Sequence, residues 1–402
     1  MGAFVFRDAL PRDEDAILEL ARHLDTVNLP PDRAFIHDLI ARARESFAGG
    51  EHPESFDPER RFLFVLEGEG GEVVGTSMIH AQHGTRREPH VFFRVVEEER
   101  YAEIALAEER REVHMVHKML QLGLTYQGPT EIGGLVLHPD QRKHPRKLGR
   151  LLSLGRFLYI AAFRSRFRDS ILAELLPPLE RGPQGRAHSR LWDALGRRFT
   201  NLSYAEADRL SGEDKEFIWR LFPQSPVHAC LLPMEVQEII GQVGRETVGA
   251  QRLIQSIGFS DSGKVDPFDG GPHWEAVTDD ISLVSEAQWC RGAPGEVGED
   301  AVAGIVARVR QAHEPEDYPY FRAVWTLLHE DLSEAELDLA KPETWAREGA
   351  GDWALPGAGQ PAHAQPPRRV TMPAEDFEAL RLPPGDERVL VALRPQKRIA
   401  KT

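Results

Sequence analysis

Two cysteines, Cys230 and Cys290, are all that the 402 residues contain, which excludes a disulfide framework and a thiolate metal cluster. A reducing compartment is expected. No run approaches eighteen consecutive apolar residues, so no membrane-spanning helix is predicted, and no charged, hydrophobic, small-residue leader stands at the start. Cytoplasm is the expected location. Positive charge is scarce as well: 49 Lys and Arg face 64 Asp and Glu, a net charge of -15, which argues against general nucleic-acid binding and against an anionic membrane surface. Two nucleotide signatures are missing, the ordered Gly-x-x-x-x-Gly-Lys-Ser/Thr loop and a Gly-x-Gly-x-x-Gly turn after an early strand. With 41% hydrophobic and 28% charged residues, the chain is large and apolar enough for two or three hydrophobic cores.

What is present is a local excess of positive charge inside this acidic chain. Residues 131–157 run as a strand, a basic turn and a helix start. Leu135, Val136 and Leu137 read as a buried strand that Pro139 ends, and Gly149 lets the backbone come close where a helical pattern begins. Unpaired amides at a helix start point at anions, and Arg142, Lys143, Arg146, Lys147 and Arg150 would neutralise a phosphate there. A solvated basic loop before an ordinary helix fits the same spacing.

Periodicity organises the rest. A strand at Phe4 to Arg7, a helix from Asp13 and a second helix from Asp32 to Phe47 are predicted, with the loop Thr26 to Pro31 between the helices. Phe62 to Glu67 and Val73 to Ala81 alternate about Gly68, Gly70 and Gly71 as a hairpin, and His90 to Val96 suggests another strand. His114 to Leu124 reads as strand or as peripheral structure. Leu151 to Phe163 is an amphipathic helix, Ile171 to Leu175 a strand, and Ser189 to Leu195 a helix whose Trp192 reads as core. From about 205 to 243 the pattern is a helical insertion. Gly249 to Ile257 is a further helix, followed by a hairpin through Asp269, Gly270 and Gly271. Residues 341–369, rich in Pro, Gly and Ala, read as a long loop or linker, and 286–340 with 370–402 as a small C-terminal β domain after a first domain of residues 1–285.

A strand, an anion-binding turn and a helix, within a mixed sheet that begins with a strand and a helix, is the acyl-coenzyme A arrangement of the N-acetyltransferase-like fold. The expected class is therefore α/β (α+β), a mixed sheet flanked by helices. More specific pieces lie in order along the chain: Asn28-Leu29-Pro30, Gly128-Pro129-Thr130-Glu131, Leu137 and Pro139 with Arg142-Lys143, Leu151-Leu152-Ser153 with Arg156-Phe157, and Ala161-Ala162-Phe163-Arg164. Gly196-Arg197-Arg198-Phe199, Ile240-Gly241-Gln242-Val243 and Phe268-Asp269-Gly270-Gly271-Pro272 continue them. In these pieces the sequence resembles the arginine N-succinyltransferases, a bacterial family that moves a succinyl group from succinyl-coenzyme A to the α-amine of arginine. Two departures stand out. The basic turn, His144 to Gly149, is longer and poorer in glycine than the family's, and Gly244 stands where the family has its proton-donor histidine.

The resemblance implies succinyl-coenzyme A as acyl donor, arginine as acceptor, and an oligomer, either a homodimer or an assembly with a related subunit. Ornithine or another small amine is the alternative acceptor, and a coenzyme A-binding subunit of little activity the alternative class. It places Leu135, Val136, Leu137, Arg142, Lys143, Arg146, Gly149 and Arg150 around the cofactor. Glu131 is a candidate base, because acyltransferases of this fold commonly place a carboxylate there to take a proton through water; a solvated residue at a strand start is the other reading. His228 could accept a proton near pH 7 or fill an ordinary surface or core position. Cys230 reads as buried structure. Asp269 could meet the guanidinium of arginine or hold its own turn, and Asn28 lies in the loop expected near substrate. No metal is expected, since His80 with His83 and His114 with His117 lack a carboxylate at a recognised ligand spacing.

Overall fold

Four buried residues make β1 (Val5–Asp8) a central strand, and a computed structural model shows what is built around it. It describes residues 3–22, 29–49, 55–86, 89–106, 109–178, 180–181, 187–212, 214–310, 314–315, 317–330 and 368–393. The expected linker, 341–369, falls outside these except for residues 368–369. After β1 come α1 (Glu14–Ala21) and α2 (Arg33–Ala48), the latter capped by Asp32, whose side chain accepts from the Phe35 amide at 2.8 Å. Such a cap is worth about 1 kcal/mol. β2 (Arg61–Glu67) and β3 (Val73–His80) form the hairpin expected, and each buries five or more residues in a row because both of their faces are covered.

β4 (His90–Leu106) and β5 (Glu109–Thr125) pair antiparallel over seventeen residues each, far beyond the apolar stretch that marks them in the sequence. Their outer halves are charged and exposed on both faces, so hydrophobic alternation has nothing to report there. β6 (Thr130–Leu137) leads through the basic turn to α3 (Gly149–Ala162), an almost wholly buried helix, and on to β7 (Ser170–Glu174). The short pair β8 (Glu180–Arg181) and β9 (Ala187–His188) precedes a π-helical turn that buries Trp192 completely, its indole nitrogen donating to the Leu202 carbonyl at 3.0 Å.

The region expected to be helical contains α4 (Arg197–Thr200), α5 (Tyr204–Ser211), α6 (Glu216–Leu221), β10 (Val227–His228) and α7 (Met234–Gln237). With β4, β5 and Trp192 these enclose a second hydrophobic core. α8 (Val248–Gln255), β11 (Ser260–Val265), β12 (Pro272–Val277) and α9 (Ser282–Ser285) follow. β13 (Gln288–Pro294), β14 (Val302–Val309), β15 (Phe321–Glu330), β16 (Arg369–Met372), α10 (Ala374–Leu380) and β17 (Arg388–Leu393) complete the described chain.

These last strands, expected as a small β domain, continue the same sheet: β15 pairs antiparallel with β1 at Val5 and Val324. One sheet of 15 strands results, in the order β10-β5-β4-β11-β12-β7-β6-β3-β2-β1-β15-β14-β17-β13-β16. Alternation explains how it serves two cores: Ile305, Ala307, Ala323 and Leu390 face the main core, while Val306, Val324, Val389 and Val391 face a third one under α10. The result is a mixed sheet flanked by helices, as the N-acetyltransferase-like α+β class requires. No helix among the described residues is long and apolar enough to cross a membrane.

Candidate active site

β6 and β7 run parallel, but they share only the pairs Thr130 with Ile171 and Glu131 with Leu172. Beyond them the strands diverge. From Ile132 onward β6 is paired only with β3, so its backbone groups on the β7 side face an opening rather than a neighbouring strand. Gly134, at φ +55°, marks an irregularity between the Thr76 and Met78 registers. It turns Leu135 outward, 38% exposed, while Val136 stays buried. The continuous buried run expected at 135–137 is thus interrupted at its first residue, because a bulge resets which face each side chain takes. Arg156 of α3 lies beneath this bulge, its Nη1 3.3 Å from the Gly133 carbonyl and 3.4 Å from that of Met78. Burial lowers its pKa to about 9.

The basic turn follows. Arg142, Lys143, Arg146 and Lys147 are exposed, and Arg142 Nε lies 3.4 Å from the Leu137 carbonyl. Arg146 turns toward the C-terminal strands, 3.7 Å from Glu375 and over the Phe4 ring at 5.9 Å. Gly149 opens α3, and a Cβ built on it would meet no other part of the fold within 4 Å, so the helix is uncovered on that flank of its first turn.

Glu131 is buried and does not stand alone. Its Oε2 lies 2.6 Å from His83 Nδ1 and 3.5 Å from His80 Nδ1. His83 follows β3, and the antiparallel register that sets His80 opposite Glu131 brings both imidazoles to that carboxylate. The far side of His83 meets Glu174 at the end of β7. Glu174 Oε1 is 3.4 Å from His273 Nε2, 3.6 Å from His83 Nε2 and 3.8 Å from His90 Nε2. Asp266 lies within ligand distance of the same carboxylate and His273.

Burial and neighbouring charge pull these groups in opposite directions. Burial disfavours a charged His83, yet the charge and hydrogen bond of Glu131, with the charge of Glu174, raise its pKa above the ordinary imidazole value. Burial would raise Glu131, and His83 overcomes it, holding the carboxylate below its usual range. Burial raises Glu174 and Asp266, and raises Asp269 well above the usual carboxylate value with Asp266 adding to it. Burial lowers His273 to about 4 and puts His90 well below the usual value. Spacing could not show this cluster, because its members stand at positions 83, 90, 131, 174, 266 and 273 and meet only through strand pairing.

The other expected site residues lie as follows. His228 pairs with Met119 on the edge of β5, its ring 5.7 Å from that of His117. Six strand steps separate it from β6 in the sheet order, roughly 29 Å at about 4.8 Å per step, so the two candidate proton acceptors are not brought together. Cys230 is exposed rather than buried, because the turn it occupies directs Ala229 inward instead. Asp269 is buried and accepts from the Gly271 amide at 2.8 Å, which holds the glycine turn. Asn28 lies outside the described residues. Gly244 is packed hard against the segment after β7: its amide donates to the Leu176 carbonyl at 2.8 Å, and a Cβ there would stand 2.5 Å from the Pro177 oxygen. A side chain does not fit this backbone arrangement.

Comparison with known proteins agrees with this architecture. The family model described as arginine N-succinyltransferase beta subunit matches residues 4–283. The chain is 34% identical over 340 residues to the arginine N-succinyltransferase subunit beta of Pseudomonas aeruginosa, covering 84% of this chain and 95% of that protein. It is 31% identical over 349 residues to the arginine N-succinyltransferase of Escherichia coli strain K12, covering 84% and 94%. Among solved structures, it is similar to arginine/ornithine succinyltransferase subunit AI from Pseudomonas aeruginosa, with a TM-score of 0.68, 25% identity, and coverage of 98% of this chain and 100% of that one.

Proposed function

Because the chain belongs to the arginine N-succinyltransferase family, we propose that it transfers the succinyl group of succinyl-coenzyme A to the α-amine of arginine. The observation that carries this reading is the opening between β6 and β7, with free backbone groups on one side and a buried carboxylate at its closed end. Pantetheine amides pair with the exposed edge of β6 near Leu135, Val136 and Leu137. The phosphates lie against the basic turn, with Arg142, Lys143 and Arg150 as charge partners and Gly149 leaving room at the start of α3. Arg146, drawn toward Glu375, contributes from the turn's outer side.

The chemistry is direct transfer. The α-ammonium loses a proton to Glu131 through water, the neutral nitrogen attacks the thioester carbonyl, the new C–N bond forms and the C–S bond breaks. Coenzyme A leaves as a thiolate and takes up the second proton, which the nitrogen sheds as it becomes an amide, while Glu131 returns the first to solvent. Amides of β6 near Leu135 and Val136 polarise the thioester oxygen, and holding amine and thioester together supplies much of the acceleration. A thiolate is a good leaving group, so the absence of a histidine at position 244 is compatible with turnover. Of the two roles the sequence allowed Asp269, holding its own glycine turn is the one its burial and its bond from the Gly271 amide favour.

Ornithine is the alternative acceptor, favoured by the name of the solved relative, which carries both amino acids. The names of the relatives also speak of subunits. We assign the chain to an oligomer, a homodimer or a pair with a related subunit, and sedimentation at several concentrations tests it: a persistent 45.2 kDa species would contradict the assignment. The activity is tested by thiol release from succinyl-coenzyme A across arginine, ornithine and other amines. Binding of coenzyme A without turnover on any of them would favour a cofactor-binding subunit.

A further inference from the structure

Glu174, His83 and His90 reach one point from three separate elements: the end of β7, the loop after β3 and the first residue of β4. One ligand atom from each lies within 4.8 Å of the other two. The Glu174 oxygen stands 3.6 Å from His83 Nε2 and 3.8 Å from His90 Nε2. These separations are too long for hydrogen bonds and close to the ligand-to-ligand spacing of about 3.4 Å around an ion bonded at about 2.1 Å.

Two further observations point to an occupant. His90 and His273 are 1% and 0% exposed, and none of their ring nitrogens has a hydrogen-bond partner. Imidazoles buried this way forfeit their hydrogen bonds with water and gain none in return, unless something fills the gap. His83, in contrast, is oriented: Glu131 takes its Nδ1 at 2.6 Å, which leaves Nε2 aimed at Glu174. A carboxylate fixing one ring nitrogen so that the other can bind is the arrangement that supports metal-ligating histidines.

We infer that His83 Nε2, His90 Nε2 and Glu174 bind a divalent first-row transition-metal ion, zinc in the first instance. Two imidazoles and one carboxylate are a zinc-type donor set and leave a fourth position for water or a substrate atom. His273 Nε2, 3.4 Å from the same Glu174 oxygen, and Asp266 stand next to this donor set. A cavity of about 380 Å³ borders the site at His90, with Arg168 and Lys264 on its wall. Lys215 lines the small cleft beside His80 and His83 and marks the cationic limit of the site. The inference rests on this geometry and not on succinyl transfer, and its readout is bound metal, so either reading can fail without the other.

The full-length protein is stripped with chelator, titrated with zinc or cobalt alone, and its metal content measured after dialysis. One equivalent is expected, together with a cobalt absorption band of low coordination number and X-ray absorption showing imidazole nitrogen and carboxylate oxygen without sulfur. His90→Ala and Glu174→Gln should each lower the affinity at least tenfold, while His228→Ala leaves it unchanged. X-ray absorption on the parent protein keeps the test independent of whether those variants fold. No bound metal, or a sulfur ligand with binding lost in Cys230→Ser and His228→Ala, would overturn the inference, the latter by moving the ion to the exposed His117, His228 and Cys230 group.

Discussion

His83 Nδ1 and Glu131 Oε2 lie 2.6 Å apart across 48 positions of sequence. The contact exists because β3 and β6 pair antiparallel with His80 opposite Glu131, which carries the loop after β3 over the same carboxylate. It joins the closed end of the β6–β7 opening to a cluster of histidines and acids that reaches Glu174 and His273. Any proton or charge placed on Glu131 is therefore shared with its neighbours.

Replacing Glu131 by Gln is expected to lower kcat by roughly 10²- to 10⁴-fold, the usual contribution of a positioned general base. Coenzyme A affinity should stay unchanged, since the basic turn lies at the other end of β6. His228→Ala serves as the contrast: from the edge of β5 it should alter neither quantity. Steady-state kinetics with equilibrium binding decide, and an unaltered Glu131→Gln rate would remove this residue from the chemistry.

Charge reversal at Arg142 together with Lys143 should weaken coenzyme A binding by about tenfold or more, because charge-assisted phosphate contacts are worth about 1.5–3 kcal/mol each. Thermal unfolding should hardly change, as both side chains are exposed. Isothermal titration with coenzyme A reads the first quantity and calorimetry the second. Equal affinity in the folded double variant would place the phosphates elsewhere.

Gly244→His should not restore a family histidine. Its Cβ would stand 2.5 Å from the Pro177 oxygen and 3.0 Å from that of Leu176, so the turn has to move. Overpacking of this kind costs about 1–3 kcal/mol. A lowered denaturation midpoint without gain of arginine turnover is expected; a stable variant with raised turnover would mean that the loop rearranges freely.

Asp8 offers a pH test of the fold. Fully buried between the Phe321 amide and Arg44, its carboxyl is pushed up to about 6 by burial, against the lowering effect of those partners. The folded pKa exceeds the unfolded value of about 3.9, so the folded state binds this proton more tightly, and stability from it falls as pH rises between those values. Relative to the parent, Asp8→Asn should therefore gain about 2 kcal/mol between pH 4 and pH 6, the full slope of about 1.36 kcal/mol per unit holding only midway between the two pKa values. Urea unfolding across that range reads the difference, and a pH-independent gap would place the titration elsewhere.

Much of this was legible in the chain. Apolar patterning marks β1 to β3, and the apolar stripe of α3 stands out at once. The charged outer halves of β4 and β5 carry no such signal, because a ribbon exposed on both faces needs no periodicity. Glu131 and the basic turn could be picked out locally. His83, His90 and His273 could not, since each becomes part of the cluster only when β3, β4, β7 and β12 are set side by side. Leu135 misled for a local reason: the bulge at Gly134 reverses the inward side after it. Cys230 misled because a buried alanine precedes it in a tight turn.

Succinyl transfer is tested most directly by thiol release from succinyl-coenzyme A in the presence of L-arginine, followed by mass spectrometry of the product. Stoichiometric release of coenzyme A is predicted, with an arginine carrying one succinyl group on its α-nitrogen and the rate lost in Glu131→Gln. No acylated amine across arginine, ornithine and related acceptors, from a folded protein that still binds coenzyme A, would contradict it.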